Sequence, residues 1–233
     1  MMNAVVGAGT LATFPVLLAL GLPPVTANVT SAVGVFPGSL AAAWAYRGRL
    51  GEQRPFAAGA TVAMCLGAFA GAGLLLVLDP SVFEFAVPWL ILGAGGLLAV
   101  QPQISRRWYR AADLPPRPQV AGIGMALAGV YLGYFGAATG VLTLAALLVA
   151  GMRDLQQANA LKNLSTGVAN GFAALTFLVL GVAVIPFAAA IAVGAVAGGL
   201  LGGALAQKLS NRSLRSVAVG IAVTAAAYAA WGT

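Results

Sequence analysis

The sequence predicts an all-α polytopic membrane protein made of two inverted-topology repeats. Each repeat has about four to five helical segments and opens on short broken or re-entrant helices. Three observations predict this. First, 61% of the 233 residues are hydrophobic and 7% are charged, with a mean hydropathy of +0.95; a soluble domain carries roughly 25% charged residues. Second, the chain repeats itself at a shift of about 131 residues. Pro55-Phe56-Ala57-Ala58 recurs as Pro186-Phe187-Ala188-Ala189, Gly67 and Gly71 meet Gly198 and Gly202, and Ala27-Asn28 meets Ala158-Asn159. Third, positive charge changes places between equivalent loops. Arg47, Arg49 and Arg54 follow the second apolar run, and their counterpart loop, LGVAVI, has no charge. Asp79 and Glu84 follow the third run, and their counterpart holds Lys208, Arg212 and Arg215. Cytoplasmic loops collect Lys and Arg, so the halves are expected to lie in opposite orientations.

In chain order, residues 1–21 form a short apolar run that Pro23 and Pro24 break, and a second run covers residues 25–46. Residues 56–78 are long enough for the roughly 30 Å hydrocarbon core. Asp79-Pro80-Ser81 ends that run, and a fourth covers residues 82–100. The stretch 101–119 is the longest polar segment; it carries Arg106, Arg107, Arg110 and Arg117, with Trp108 and Tyr109 suited to a membrane interface. The domain reading is therefore a first repeat over residues 1–101, a basic cytoplasmic linker over 102–119 and a second repeat over 120–233. Residues 120–135 and 138–151 are each shorter than the roughly 20 residues that an unaided crossing needs. They are expected to form a hairpin that returns to its starting face. Runs at residues 155–180, 185–206 and 216–231 complete the chain. Met1 aligns near Val130, so the opening half-helix of the first repeat is expected to be missing from this sequence.

Composition also excludes several classes. The +7 net charge lies in short gaps between apolar runs, which marks membrane loops and not a nucleic-acid surface. No histidine and a single cysteine, Cys65, leave neither a disulfide nor a His/Cys metal site, and no cofactor is expected. Without a basic segment before the first apolar run, a cleaved signal peptide is not expected. Ser, Lys and Asn side chains could serve amide hydrolysis, but no motif for it is present, so an enzyme is not expected.

The candidate site is drawn from the two breaks. Gly-rich interruptions at matched positions of inverted repeats point to a transport site. Unpaired backbone cannot face lipid, so Gly136, Thr139 and Gly140 in one half, and Gly7 and Gly9 in the other, are expected to face protein or water. Helix N-termini there would offer N–H groups to an anion. After the breaks come Asn28, Thr30 and Ser31 in the first half. In the second half Asn159, Lys162, Asn163 and Thr166 fall on one helix face by their three- and four-residue spacing. Amides, hydroxyls and one cation with no carboxylate suit an oxyanion. The competing readings are that the glycines only permit close packing, that Lys162 snorkels to the headgroups, and that the Asn, Ser and Thr side chains tie helices together.

At these residues the chain resembles the sulfite exporter TauE/SafE family of membrane transporters. The resemblance rests on Gly7-Ala8-Gly9-Thr10 with Pro15, Gly21 and Thr26-Ala27-Asn28-Val29-Thr30-Ser31, and on the second copy, Gly136-Ala137-Ala138-Thr139-Gly140 with Gly151 and Gln157-Ala158-Asn159. It implies export or exchange of a small anion such as sulfite, a sulfonate or a related carboxylate. The expected partners are that anion and the lipid bilayer, with no nucleic acid; self-association into a homo-oligomer is left open. The expected location is the bacterial cytoplasmic membrane. Two other readings stand beside a secondary transporter, a passive anion channel and a truncated non-transporting membrane partner.

Overall fold

The structure is a computed structural model that describes residues 9–45, 54–110, 117–152 and 154–205. Eight helices and no strand occur among the described residues: α1 (Gly9–Ala19), α2 (Pro24–Ala45), α3 (Arg54–Val77), α4 (Pro80–Arg110), α5 (Pro118–Tyr134), α6 (Thr139–Val149), α7 (Leu155–Val179) and α8 (Ile185–Leu205). Three of them, α2, α3 and α4, are long and apolar enough to cross a membrane. The protein is an all-α membrane protein. Gly7, the loops expected around Arg47 and Lys208, and the run at residues 216–231 lie outside the described residues.

The starts and ends of several helices follow the shift read from the sequence. The starts of α1, α2 and α3 precede those of α6, α7 and α8 by 130, 131 and 131 residues. Both short helices also end the same way. Gly21 (φ +86°) and Gly151 (φ +91°) stand in the left-handed region. Each closes the same pair of turn hydrogen bonds, Gly21 N–H to Leu18 O with Leu22 N–H to Leu17 O, and Gly151 N–H to Leu148 O with Met152 N–H to Leu147 O. That pattern terminates a helix, and glycine adopts it without a Cβ clash.

Small residues set how the long helices pair. Gly67 and Gly71 of α3 face α5, where an added Cβ would meet Ala126 O at 2.1 Å and Val130 O at 2.0 Å; Gly129 and Gly133 of α5 face Met64 O and Ala68 O in return. The residue numbers rise together, so α3 and α5 run parallel with their backbones in contact, as small-xxx-small faces allow in lipid. α2 and α8 also run parallel, through Gly34 on Ile191 and Gly38 on Ala195. Thr61 of α3 and Ser165 of α7 share a 2.8 Å hydrogen bond. α2 and α7 cross in the opposite sense, with Gly167 on Ser39 and Gly171 on Phe36.

The second-half break is a hairpin. α5 and α6 come back together at their base, where Arg117 N–H donates to Ala150 O at 2.8 Å. At 11 residues α6 reaches only about 16 Å, half of the roughly 30 Å core. One boundary differs from the sequence reading. Hydropathy ends the fourth run at Val100, yet α4 continues to Arg110, a 31-residue helix of about 46 Å. The linker expected over 102–119 is thus helical in its first part. Loss of apolarity marks the edge of the lipid, but helix hydrogen bonds continue in water, and that boundary is invisible to hydropathy.

Outward faces are apolar. Leu66, Phe69, Trp89, Leu127, Phe172 and Val193 are all more than half exposed. Two open grooves of about 790 and 360 Å³ flank Phe172 along the α3–α7 and α2–α7 seams. Thr61 is the only side chain with a polar oxygen or nitrogen in either, so both belong to the lipid-facing surface and not to a polar site.

Candidate functional site

The polar cavity lies between the halves. It is a space of about 30 Å³ lined by Thr10, Ser39, Thr139, Thr166 and Asn170, with Leu132, Phe135, Gly136 and Gly140 closing it. That is room for about two water molecules. Both halves contribute equivalent positions: Thr10 with Gly140 at a shift of 130, Val35 with Thr166 and Ser39 with Asn170 at 131. Val35 is the twelfth of the 22 residues of α2, and Thr166 the twelfth of the 25 of α7, so the cavity sits at the middle of both. Pro37 lies between Val35 and Ser39; a proline removes one helix hydrogen bond and loosens α2 at that level.

The α5–α6 break supplies the cavity's backbone. Gly136 has φ +78° and Ala138 has φ +58°, the only positive-φ residue other than glycine among those described. A non-glycine residue in that region costs of order 1–3 kcal/mol, and such costs gather at working sites. Ala138 is the N-cap of α6 and offers no side-chain cap; Val141 N–H turns back to Ala138 O at 2.9 Å, and the N–H groups of Thr139 and Gly140 are left for another acceptor. Thr139 Oγ donates to Gly136 O at 2.8 Å and braces the turn. Phe135 belongs to an edge-to-face cluster with Phe14 at 5.5 Å and Tyr131 at 6.4 Å, and tilts against Phe83 at 6.2 Å. This apolar wall closes one side of the cavity.

Of the residues chosen from sequence, Gly136, Thr139, Gly140 and Thr166 line the cavity. Gly9 begins α1, one residue before the lining Thr10. Lys162 and Asn163 lie a turn before Thr166 on α7, outside the lining. Lys162 is 2% exposed, and among the described residues it has no hydrogen-bond or ion-pair partner; it does not snorkel. Asn163 is 3% exposed and its Nδ2 is unpartnered. An unpaired buried cation and donor are costly. Thr166 Oγ donates to Lys162 O at 2.7 Å, and Asn159 is half-buried at the same end of α7.

The first-half set is placed differently. Asn28 Nδ2 donates to Tyr134 O at 3.0 Å, Thr30 Oγ accepts from Val184 N–H at 3.0 Å, and the Ser31 hydroxyl bonds that of Thr13. None of the three lines the cavity; Ser31 ties α2 to α1, and Thr30 ties α2 to the connection between α7 and α8. Sequence reasoning did not choose Thr10, Ser39 or Asn170 as site residues, although Thr10 stands in the first Gly-rich motif and Asn170 among the polar residues that follow the second break. The duplication shift was the signal that could have found two of them, because Ser39 and Asn170 are equivalent positions one turn beyond Val35 and Thr166.

No His, Cys, Asp or Glu cluster able to hold a metal occurs among the described residues. No curated protein and no solved structure matches the chain. The family model for the sulfite exporter TauE/SafE matches residues 1–229. An all-helical apolar bundle with that match over nearly its whole length belongs to the TauE/SafE sulfite exporter family of membrane transporters.

Proposed function

We propose that this protein is a secondary transporter of a small anion such as sulfite, a sulfonate or a related organic anion, and that it works by alternating access. The observation that carries this is the mid-helix cavity lined by equivalent positions of two duplicated halves, with an uncapped helix N-terminus at its edge. The opposed crossing of α2 and α7 supports an inverted relation between those halves, the arrangement in which one half rocks against the other around a central site.

In this reading the anion sits against the first turn of α6. It accepts hydrogen bonds from the N–H groups of Thr139 and Gly140 and from the hydroxyl of Thr10, with the Asn170 amide beside them; the hydroxyls of Thr139 and Thr166 stay on Gly136 O and Lys162 O. Lys162 and Asn163 face the passage one turn away, where their donors have no protein acceptor and an anion supplies one. Phe135, with Phe14 and Phe83, closes the apolar side. Gly136 lets the chain turn there. The transporter is an integral membrane protein, and the bacterial cytoplasmic membrane is the proposed location.

The test is purified protein in proteoliposomes with labelled sulfite and a short sulfonate offered separately. Saturable flux with counterflow is expected for at least one of them. Flux that neither saturates nor shows counterflow would identify a passive channel, and none with any small anion would refute transport.

A further inference from the structure

The end of α5 presents acceptors where the start of α6 presents donors. Phe135 N–H and Gly136 N–H both turn back to Tyr131 O, at 2.9 Å each. No backbone N–H of residues 135–138 reaches Leu132 O or Gly133 O. Tyr134 O, the next carbonyl, accepts from Asn28 Nδ2 at 3.0 Å. That bond fixes the carboxamide of Asn28, since only its nitrogen can donate to a carbonyl. The remaining atom, Oδ1, has no hydrogen-bond partner, and Asn28 is 2% exposed. A buried acceptor left in that state calls for a donor or a cation.

The chemistry selects the cation's class. A helix C-terminus carries the negative end of the dipole. The oxygens without a partner at this helix end are neutral, the carbonyls of Leu132 and Gly133 and the carboxamide of Asn28. The described acidic residues, Asp79, Glu84 and Asp154, are all exposed. A divalent ion would want carboxylates, and a proton would need a basic group to carry it. Neutral hard oxygens at an interrupted helix end suit a monovalent alkali ion. The place is also close to the anion. Leu132 and Gly136 line the cavity, and Asn28 stands four residues, about 6 Å along the axis, before the lining Ala32 on the same face of α2.

We propose that Asn28 Oδ1, with the carbonyls of Leu132 and Gly133, binds a sodium-sized monovalent cation that travels with the anion. The proposal rests on the transporter reading above. Opposite charges about one turn apart favour each other, and the coupling is reciprocal: the cation raises anion affinity and the anion raises cation affinity.

The experiment compares Na⁺, Li⁺, K⁺ and choline gradients across proteoliposomes at clamped potential, with sulfite as the probe. In parallel, the thermal midpoint of the full chain in detergent is read in the same salts. Wild type should accumulate the anion about tenfold more with Na⁺ than with choline, and Na⁺ should raise its midpoint. Asn28→Ala should need about tenfold more Na⁺ for half-maximal flux and lose the Na⁺-dependent midpoint shift. Equal saturable flux in all four salts, with no Na⁺ shift of the midpoint, would overturn the cation site and leave the anion transporter standing. No saturable flux in any salt would overturn the transporter reading, and the midpoint shift would then decide cation binding alone. If Asn28→Ala fails to insert, the wild-type salt series still decides.

Discussion

Gly133→Ala tests whether the α3–α5 seam positions the site. The added Cβ would fall 2.0 Å from Ala68 O and 2.6 Å from Ala72 N, both backbone atoms of α3. Ordinary contact begins at 3.4 Å, so the two helices must part by about 1.4 Å. Neither neighbour is a flexible side chain, and the rest of the seam, Gly67, Gly71 and Gly129, has equally little slack. Overpacking of this kind costs about 1–3 kcal/mol, with more where backbone must move. The functional cost follows from what α5 carries. Leu132 of α5 and, directly after its end, Phe135 and Gly136 line the cavity, and a misplacement of about 1 Å can cost a hundredfold in rate. The assay is a thermal midpoint in detergent together with anion flux per inserted protein. Gly122→Ala is the control on the same helix: nothing lies within 4 Å of its Cβ, and the better helix former should hold or raise stability by up to about 1 kcal/mol. If Gly133→Ala matched wild type in both midpoint and flux, the seam would not be the device that places α5.

Three further outcomes follow from the same geometry. Lys162→Met removes a buried cation that has no described partner, so the midpoint should hold or rise, while anion binding measured by saturation flux weakens by about 2–5 kcal/mol; unchanged flux would remove Lys162 from the passage. Phe135→Ala takes a ring from the aromatic wall and should lower unfolding stability by about 3–5 kcal/mol in denaturant titration, with a wider cavity that admits bulkier anions in competition assays. Asp79 caps the start of α4, accepting from Ser81 N–H at 2.9 Å and Ser81 Oγ–H at 2.6 Å. These bonds hold its carboxyl below the usual carboxylate range. A lowered folded value stabilises above the unfolded pKa and is lost as pH falls through the folded one. The stability gap between wild type and Asp79→Ala, read as midpoints over a pH series, should therefore be present at neutral pH and close in acid.

Much of this protein is legible in its amino-acid sequence. Apolar runs, the matched breaks and the 131-residue shift are local or periodic properties, and lipid leaves helices as the outcome for a chain of this composition. A shift of 130 or 131 sets the starts of α6, α7 and α8 against those of α1, α2 and α3, and at 130 it aligns Gly21 with Gly151. It also singles out Gly67 and Gly71 without naming what they touch; Gly129 and Gly133, their partners, meet no glycine at the shifted positions.

What only tertiary structure decided is which faces meet. The spacing of Asn159, Lys162, Asn163 and Thr166 puts them on one helix face, but the cavity takes Thr166 with Asn170 and leaves Lys162 a turn away. The crossing of α2 and α7 near Ser39 and Gly167 determines which residues close on that space. Asn28 likewise reads as a site residue from its place after a break, and its partner, Tyr134 O, is 106 residues distant. Sequence thus determined the solvent, the elements and the repeat, because those depend on composition and on neighbours along the chain. Tertiary structure decided the site, because a helix side chain finds its partner through the packing of segments that the sequence keeps far apart.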